Sequence, residues 1–436
     1  MRPLAVPLLA AVLALAALPL CAEPGSTLPA PVTDADYAPV DPAQAALGRL
    51  LFYDPVLSGN REVACATCHH PRFATADGLA LGLGDGGRGL GPARAADPAN
   101  PPERRIPRNA PALFNLGAHE FTVLFHDGRI EADPSRPSGL RTPMGTEMEA
   151  GFASLLSAQT MFPVLSPDEM AGHYSENEVA QAVRRGVITG PGGAWDLIAA
   201  RVRAVPGYAA PFEAAFPGRE ITFTAISDAV AAFMAAEWRS DDSPFDAHLR
   251  GEAPLTGAAA EGMALFYGEA GCASCHSGPF QTDHGFHAMG APQLGPGKAA
   301  RFESHARDTG RQRVTGDPAD AYAFRTPSLR NVTRTGPWGH AGGHADLAAF
   351  LDHHADPGGA WPRDAALPAM AAEDWRVADD PAQVAAIRTA AEAGRPLSPG
   401  ERDALLAFLG ALEDPVALGG RAGVPEAVPS GLTVPR

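Results

Sequence analysis

The chain has 436 residues and a formal net charge of −16 at pH 7. This length allows two or three domains with separate cores, and the 47 glycines and 43 prolines favour many loops and turns. The acidic charge argues against nucleic acid as a partner and is compatible with a basic protein partner.

The N-terminus has the pattern of a secretion signal. Arg2 precedes an apolar run at 4–20 that is too short to span a bilayer comfortably, and Ala22 suits the position before a cleavage site. We therefore expect a signal peptide at 1–22 and a periplasmic protein. Cys21 leaves a lipoprotein anchor as the alternative, although the leucine before it is unsuited to lipidation. No later segment has the length and apolarity of a membrane span, so an integral membrane protein is not expected.

Two Cys-x-x-Cys-His sequences, at 65–69 and 272–276, use four of the five cysteines. Each places two thiols one helical turn apart, where they can form thioethers to a haem, and the following histidine can bind the iron. A single match could be accidental or a redox dithiol, but two matches predict two covalently bound c-type haems. The predicted attachment residues are Cys65, Cys68, Cys272 and Cys275, and the predicted proximal iron ligands are His69 and His276.

We call the two Cys-x-x-Cys-His sequences the pentads. The segments around them repeat along the chain, which predicts a mainly α fold with two tandem cytochrome c-like haem domains and long Gly/Pro-rich loops. We expect the domains at 38–245 and 246–415, and a loosely ordered tail at 416–436. The matching segments are 46–53 with 260–267, 108–115 with 324–331, and 126–128 with 340–342.

Several helix boundaries carry capping signals. Asp41-Pro42 and Thr256 are expected to open the helices that precede the pentads. Capping boxes predict one helix from Ser175 to Val187 and another from Ser398 to Leu412, and an amphipathic pattern predicts a third at 224–238.

Residues 159–170 read Gln-Thr-Met-Phe-Pro-Val-Leu-Ser-Pro-Asp-Glu-Met, which resembles the loop over the N-terminal haem in the bacterial di-haem cytochrome c peroxidase and MauG family. The resemblance extends from about Asp41 to Pro415. Within the family, the stretches at 158–172, 286–297 and 336–340 resemble the MbnH-like di-haem enzymes above all. The resemblance implies a haem-dependent peroxidase or oxidoreductase.

Glu169 is the candidate catalytic residue of this loop. Splitting peroxide moves a proton between its two oxygens, and a carboxylate above an open iron site can act as the general acid and base. Gln159 is expected to orient peroxide or water as a hydrogen-bond donor, and Met170 and Pro163 to shape the pocket. Taken alone, Glu169 would be read as a solvated loop carboxylate, but its register with Gln159 favours catalysis.

The family's peroxidases that require reductive activation carry a distal histidine sixteen residues after the proximal one, a count that here reaches Asp85 in a Gly-rich loop at 81–89. His70 adjoins the proximal ligand and so begins on the wrong side of the haem. We therefore predict a five-coordinate N-terminal haem that reacts with peroxide without prior reduction, as the resemblance to MauG implies.

The second haem is expected to have two axial ligands. In the family a methionine or tyrosine lies fourteen residues after the histidine of the Pro-x-x-His-x-Gly motif, which here contains His340, and the count reaches His354. Adjacent His353 and, more weakly, Met289 are the alternatives. Two histidine ligands would lower the haem potential relative to methionine ligation.

The resemblance also implies a calcium ion between the haems, bound by the Asn109 side chain and by the carbonyls of Thr335 and Pro337. His126 occupies the position of the family's inter-haem tryptophan. This replacement leaves the route of electrons between the haems open.

The resemblance implies an enzyme that uses hydrogen peroxide to form a high-valent haem state and then oxidises a secreted partner protein, at a tryptophan side chain. The alternative is a cytochrome c peroxidase that reduces hydrogen peroxide to water with electrons from a small cytochrome or copper protein. A di-haem electron carrier is a third reading, against which Glu169, Gln159 and the missing distal histidine argue.

Overall fold

The computed structural model describes residues 28–148, 150–298, 305–361, 363–364, 366–367, 370–392 and 394–436. The expected signal peptide, with Cys21, lies outside these residues. Within the described ranges, no helix combines the length and apolarity that crossing a membrane requires.

Helices and long loops form most of the structure, which confirms the mainly helical prediction. The strands are short and make three small antiparallel sheets, β1-β2, β3-β4-β5 and β6-β7. The helices are α1 (Pro42–Phe52), α2 (Cys65–Cys68), α3 (Leu155–Thr160), α4 (Glu178–Arg185), α5 (Ala194–Arg203), α6 (Ala209–Ala215), α7 (Phe223–Glu237), α8 (Pro244–Leu249), α9 (Gly257–Tyr267), α10 (Gln312–Thr315), α11 (Leu347–Ala355), α12 (Pro381–Thr389), α13 (Pro399–Gly410) and α14 (Pro415–Gly419). The strands are β1 (Gly87–Arg88), β2 (Ala95–Ala96), β3 (Val123–Leu124), β4 (Ile130–Ala132), β5 (Leu140–Arg141), β6 (Phe286–His287) and β7 (Phe324–Arg325).

Two helix pairs pack in the same manner, α1 against α7 and α9 against α13. A Cβ on Gly48 of α1 would lie 1.8 Å from the carbonyl oxygen of Ala229 in α7. A Cβ on Gly262 of α9 would likewise lie 1.8 Å from the carbonyl oxygen of Ala404 in α13. Glycine is therefore required at both crossings, because any side chain would force the two backbones apart.

The sequence repeat at 108–115 and 324–331 also has a common structure. Asn115 and Asn331 both adopt a left-handed backbone, with φ of 61° and 60°. The Asn115 amide donates to the carbonyl of Trp238 (3.0 Å), just after α7, and the Asn331 amide donates to that of Leu412 (3.2 Å), just after α13. Asparagine tolerates this conformation better than most residues, which explains its use at both positions.

Most of the predicted helix ends agree with the structure. The Asp41 side chain caps α1, and Ser398 with Glu401 forms the capping box of α13. The predicted start at Ser175 is wrong, because Asn177 caps α4 by accepting from the Ala180 amide (2.8 Å). Ser175 itself has a left-handed φ of 80°, which places it in the turn before the helix.

The expectation of a loosely ordered tail after residue 415 is also wrong. Ala417, Val428 and Val434 are buried in the same hydrophobic core as α1 and α7. Ser430 Oγ donates to Asp54 (2.6 Å), and Arg49 Nε donates to the carbonyl of Gly423 (2.8 Å). The tail therefore returns from the second half of the chain and packs into the hydrophobic core around α1 and α7, which we call the first core.

Candidate functional site

Each pentad forms a tight turn that places the histidine amide next to the first cysteine. The His69 amide donates to the carbonyl of Cys65 (3.0 Å), and the His276 amide donates to that of Cys272 (2.9 Å). Burial raises the pKa of Cys65 and of Cys68 to about 12. This burial favours the neutral thiol, whereas a redox dithiol requires a thiolate, so the environment favours haem attachment over the redox alternative.

The two proximal imidazoles are held in the same way. His69 Nδ1 lies 2.9 Å from the carbonyl oxygen of Thr75, and His276 Nδ1 lies 3.1 Å from that of Gln281. Thr75 and Gln281 both have a left-handed φ, 62° and 50°. A ring that donates from Nδ1 to a carbonyl presents Nε2 as the metal ligand. Donor types and ring orientation thus fit a covalently bound haem at both pentads.

Glu169 lies on a π-helical turn, Pro167–Ala171, that packs on the Gly-rich loop. Its carbonyl oxygen accepts a hydrogen bond from the Asp85 amide (2.9 Å). A Cβ on Gly84 would lie 2.3 Å from the same oxygen, so only glycine permits this approach. Backbone contacts therefore fix the turn, and π turns are frequent at functional sites.

The carboxyl group of Glu169 is in a low-polarity environment near two cations. Burial raises its pKa, and the charges of Lys298 and Arg129 oppose this rise. Burial is the largest cause of the raised pKa of Cys68, and the negative charge of Glu169 is one of the smaller causes. The Glu169 carboxyl group therefore lies on the side of the first pentad. A carboxyl group with a raised pKa is suited to accepting and returning a proton.

Gln159, the second candidate, lies partly buried on α3. The end of this helix is anchored by Trp195, whose Nε1 donates to the carbonyl of Met161 (2.8 Å). A 3-10 turn that begins at Pro163 connects α3 to the Glu169 turn, and Met170 is buried. A compact pair of turns therefore links the two polar candidates.

A buried charge cluster connects the two halves of the chain. Arg108 donates to both oxygens of Asp308 (2.7 and 2.9 Å) and pairs with Asp127 (2.8 Å). Asp127 also pairs with Arg129 (2.9 Å). Burial, with the charges of Arg129 and Arg108, lowers the pKa of Lys298 to about 7. Sequence analysis did not assign these residues, because the segments that supply them are far apart along the chain.

Two neutral imidazoles lie beside this cluster. The His340 ring stacks on Phe324 with 3.7 Å between centroids, and burial lowers its pKa to about 4. Burial also holds the pKa of His126 well below its usual value, and the charge of Arg108 and that of His340 lower it further. The position of the family's inter-haem tryptophan is therefore occupied by a histidine whose lowered pKa favours the uncharged imidazole.

His353 and His354 have different environments, although they are adjacent on α11. His353 Nε2 lies 2.8 Å from the carbonyl oxygen of Met289, so this nitrogen is engaged. His354 Nδ1 lies 3.0 Å from the carbonyl oxygen of Phe350 in its own helix, which leaves Nε2 as its free donor atom. Burial is the largest cause of the lowered pKa of His276, and the charge of His354 is the second largest. These two rings are therefore close together.

Asn109 connects the first half of the chain to the turn around His340. Its amide donates to the carbonyl of His340 (2.8 Å), and its Nδ2 donates to that of Leu79 (2.7 Å). These contacts leave Oδ1 of Asn109 able to bind a metal, and calcium prefers oxygen ligands of this kind. Thr335 and Pro337 lie just before His340, so their carbonyls are on the same segment.

Both the helical fold and the paired pentads define a di-haem c-type protein, and comparisons with known proteins agree. The sequence profile for di-haem cytochrome c peroxidases matches residues 42–254. The methylamine utilization protein MauG of Methylorubrum extorquens is 34% identical over 321 residues, which cover 72% of this chain and 69% of that protein. The cytochrome c551 peroxidase of Pseudomonas aeruginosa is 27% identical over 318 residues, 72% of each chain. The chain belongs to the di-haem cytochrome c peroxidase family, and it is a haem-dependent oxidoreductase.

Solved structures show the same fold. A MauG-like protein associated with microbial copper homeostasis has a TM-score of 0.58 and 28% identity, over 92% of this chain and 97% of that one. The di-haem peroxidase BthA from Burkholderia thailandensis has a TM-score of 0.56 and 23% identity, over 95% of this chain and 97% of that one.

Gly84→Ala is expected to slow the reaction with hydrogen peroxide by about 10- to 100-fold, because the new methyl group would displace the Glu169 turn and small misplacements are costly. Stopped-flow absorbance of the haem-loaded enzyme measures this rate. Gly400→Ala is the control, since a Cβ there would meet nothing within 4 Å. An unchanged rate in Gly84→Ala would show that the loop does not position Glu169.

Proposed function

We propose that this protein is a periplasmic enzyme that takes oxidising equivalents from hydrogen peroxide and uses them to oxidise a tryptophan on a partner protein. The observation that carries the proposal is the placement of Glu169, a carboxyl group with a raised pKa on a turn fixed against the Gly-rich loop. That loop has Asp85, not an imidazole, at the position of the expected distal ligand. When bound, the haems supply the iron that exchanges electrons with peroxide.

Glu169 and its neighbours have different roles in peroxide cleavage: proton transfer, orientation of peroxide and adjustment of the Glu169 pKa. The Glu169 carboxylate would accept a proton from one oxygen of hydrogen peroxide and return it to the other. The protonated oxygen could then leave as water when the O–O bond breaks, with the two electrons for this cleavage supplied by the haem site. The amide of Gln159 donates a hydrogen bond that orients the bound peroxide. Lys298 and Arg129 oppose the effect of burial on the Glu169 pKa and so help the carboxylate to ionise.

We infer that His354, together with His276, would hold the haem iron at the second pentad. Its interaction with His276 and its free Nε2 support this choice, whereas His353 is engaged with the carbonyl of Met289. Replacing His354 with alanine is expected to remove the low-spin signal of this haem from the electron paramagnetic resonance spectrum of the oxidised enzyme. Replacing His353 with alanine should leave that signal in place, and the reverse pattern would assign the position to His353.

The proposal includes two tandem haem domains, at 38–245 and 246–415, with calcium between them. The matching crossings at Gly48 and Gly262 support the tandem division. The calcium ligands would be Asn109 Oδ1 and the carbonyls of Thr335 and Pro337, which suit a hard cation.

A protein substrate fits the closed environment of Glu169. The Glu169 side chain is only partly exposed and its turn is fixed against the Gly-rich loop, so we infer that oxidation of a side chain on another protein proceeds by electron transfer through this chain. His126 and His340 interact with each other beside the Arg108 charge cluster and are candidates for that route. The similarity to MauG and to a MauG-like protein associated with copper homeostasis supports this reading.

Mass spectrometry of candidate secreted partners, after incubation with the enzyme and hydrogen peroxide, tests the proposal. We expect a mass change on one tryptophan that is lost when Glu169 is replaced by glutamine. If no partner is modified, and the enzyme instead turns over peroxide briskly with a reduced cytochrome, the protein is a detoxifying peroxidase. The similarity to the cytochrome c551 peroxidase favours that second candidate.

A further inference from the structure

Asp85, His173 and Glu176 form a cluster beside the Glu169 turn, on the side of the Gly-rich loop. One ligand atom from each side chain lies within 4.8 Å of the other two. Asp85 is fully buried, and Glu176 is exposed at the edge of the cluster. The three residues come from two segments that meet only in the folded chain.

The two carboxylates of the cluster share one donor. Asn60 Nδ2 lies 3.0 Å from Asp85 Oδ2 and 2.8 Å from Glu176 Oε2. Glu176 also accepts from Asn100 Nδ2 (2.7 Å) and from the His173 amide (2.7 Å). All of these donors are neutral, and among the described residues neither carboxylate pairs with a lysine or an arginine. Two acids held this close in a partly buried site are stabilised by a bound cation.

His173 is the third side chain of the cluster. Its Nδ1 pairs with Glu103 (3.3 Å), and its side chain is 13% exposed. Its Nε2 is fully enclosed and has no hydrogen-bond partner among the described residues. Buried polar atoms are rarely left without a partner, and an imidazole oriented from Nδ1 by a carboxylate presents Nε2 as a metal ligand.

We propose that Asp85, His173 and Glu176 bind a divalent transition-metal ion, of which Zn²⁺ is the representative. One imidazole nitrogen and two carboxylate oxygens, with water as a fourth ligand, are a ligand set that zinc accepts. Magnesium and calcium prefer sites composed of oxygen alone. None of these three residues belongs to either pentad, and the existence of the site does not depend on the proposed function.

The bound ion would fix the position of Glu169 from two sides. The Asp85 amide already donates to the carbonyl of Glu169 (2.9 Å), and Asn177 Nδ2 donates to that of Ala171 (3.0 Å), at the end of the same turn. A cation held by Asp85 on the Gly-rich loop and by Glu176 after the turn would connect these two contacts. The aspartate at the position of the missing distal histidine thus has a structural role.

Zinc binding to the full-length, haem-loaded enzyme tests the proposal. The enzyme is treated with a chelator, returned to buffer with excess calcium so that any calcium site is filled, and titrated with Zn²⁺ in a calorimeter. We expect one Zn²⁺ per chain and a higher melting temperature with zinc. Glu176→Gln should weaken binding by at least about 100-fold, since loss of an outer partner of a metal ligand alone costs 10- to 100-fold.

Glu178→Gln is the matched control, because this nearby glutamate pairs with Arg201 (2.6 Å) and is not part of the cluster. It should bind zinc as the wild type does. Asp85→Asn is a second test of the site, and the exposed position of Glu176 makes Glu176→Gln the variant with less effect on folding. The proposal is overturned if the wild type binds no stoichiometric zinc, or if Glu176→Gln binds it with unchanged affinity.

Discussion

Replacement of Glu169 by glutamine is expected to lower the rate constant for the reaction with hydrogen peroxide by about 10²- to 10⁴-fold, the range that general acid–base groups contribute. Glutamine keeps the size and the hydrogen-bonding capacity of the side chain, but it cannot accept and return a proton. Stopped-flow absorbance in the haem region measures the rate directly. The turn itself should persist, because backbone contacts with the Gly-rich loop hold it.

Asp168→Asn provides the control for this variant. Asp168 precedes Glu169 on the same turn, but it pairs with Arg104 at the surface (2.8 Å). Its replacement should leave the peroxide rate within about threefold of the wild type, as expected when no proton-transferring group is removed. Equal rates in Glu169→Gln and wild type would contradict the catalytic assignment.

The pH dependence of the same reaction offers an independent check. Burial raises the pKa of Glu169 above the ordinary value of 4.5, so its carboxylate becomes protonated, and stops acting as a base, at a higher pH than an exposed glutamate would. The rate should therefore fall with decreasing pH along a limb that lies above 4.5. This limb should be absent from the residual rate of Glu169→Gln.

Gly48→Ala is expected to destabilise the first core strongly. The added Cβ would lie 1.8 Å from the carbonyl oxygen of Ala229, an atom of the α7 backbone that cannot rotate away. Overpacking of this kind costs about 1–3 kcal/mol and sometimes more, and here it would also separate α1 from α7. Thermal unfolding of the haem-loaded protein measures the loss.

Gly410→Ala is the matched control for Gly48→Ala. Both changes place alanine in a helix, but a Cβ on Gly410 would meet nothing within 4 Å. Alanine is favoured over glycine in helices by roughly 0.8–1 kcal/mol, so this variant should be as stable as the wild type or more stable. Similar losses in both variants would mean that the helix crossing is not the cause.

Sequence alone could predict the features that depend on local spacing. The pentads at 65–69 and 272–276 and the cap residues Asp41 and Ser398 are read from neighbours within a few positions. The internal repeat was also visible, because duplicated segments retain the glycine and asparagine that their geometry requires. Gly48 illustrates this, since its match to Gly262 is explained by the same helix crossing.

Features that depend on distant contacts were missed or left open. The tail after residue 415 has a composition typical of loops, and only the packed core shows that Val428 and Val434 are buried. The environment of Glu169 includes Lys298, more than 100 residues away in sequence, and no local pattern links them. The choice between His353 and His354 depends on which nitrogen is already engaged, which spacing cannot reveal.

The returning tail has a consequence for how the protein is assembled. Asp54 and Arg49, near the first pentad, find hydrogen-bond partners in Ser430 and Gly423, which leave the ribosome more than 350 residues later. The first core therefore stays incomplete until synthesis of the chain is nearly finished.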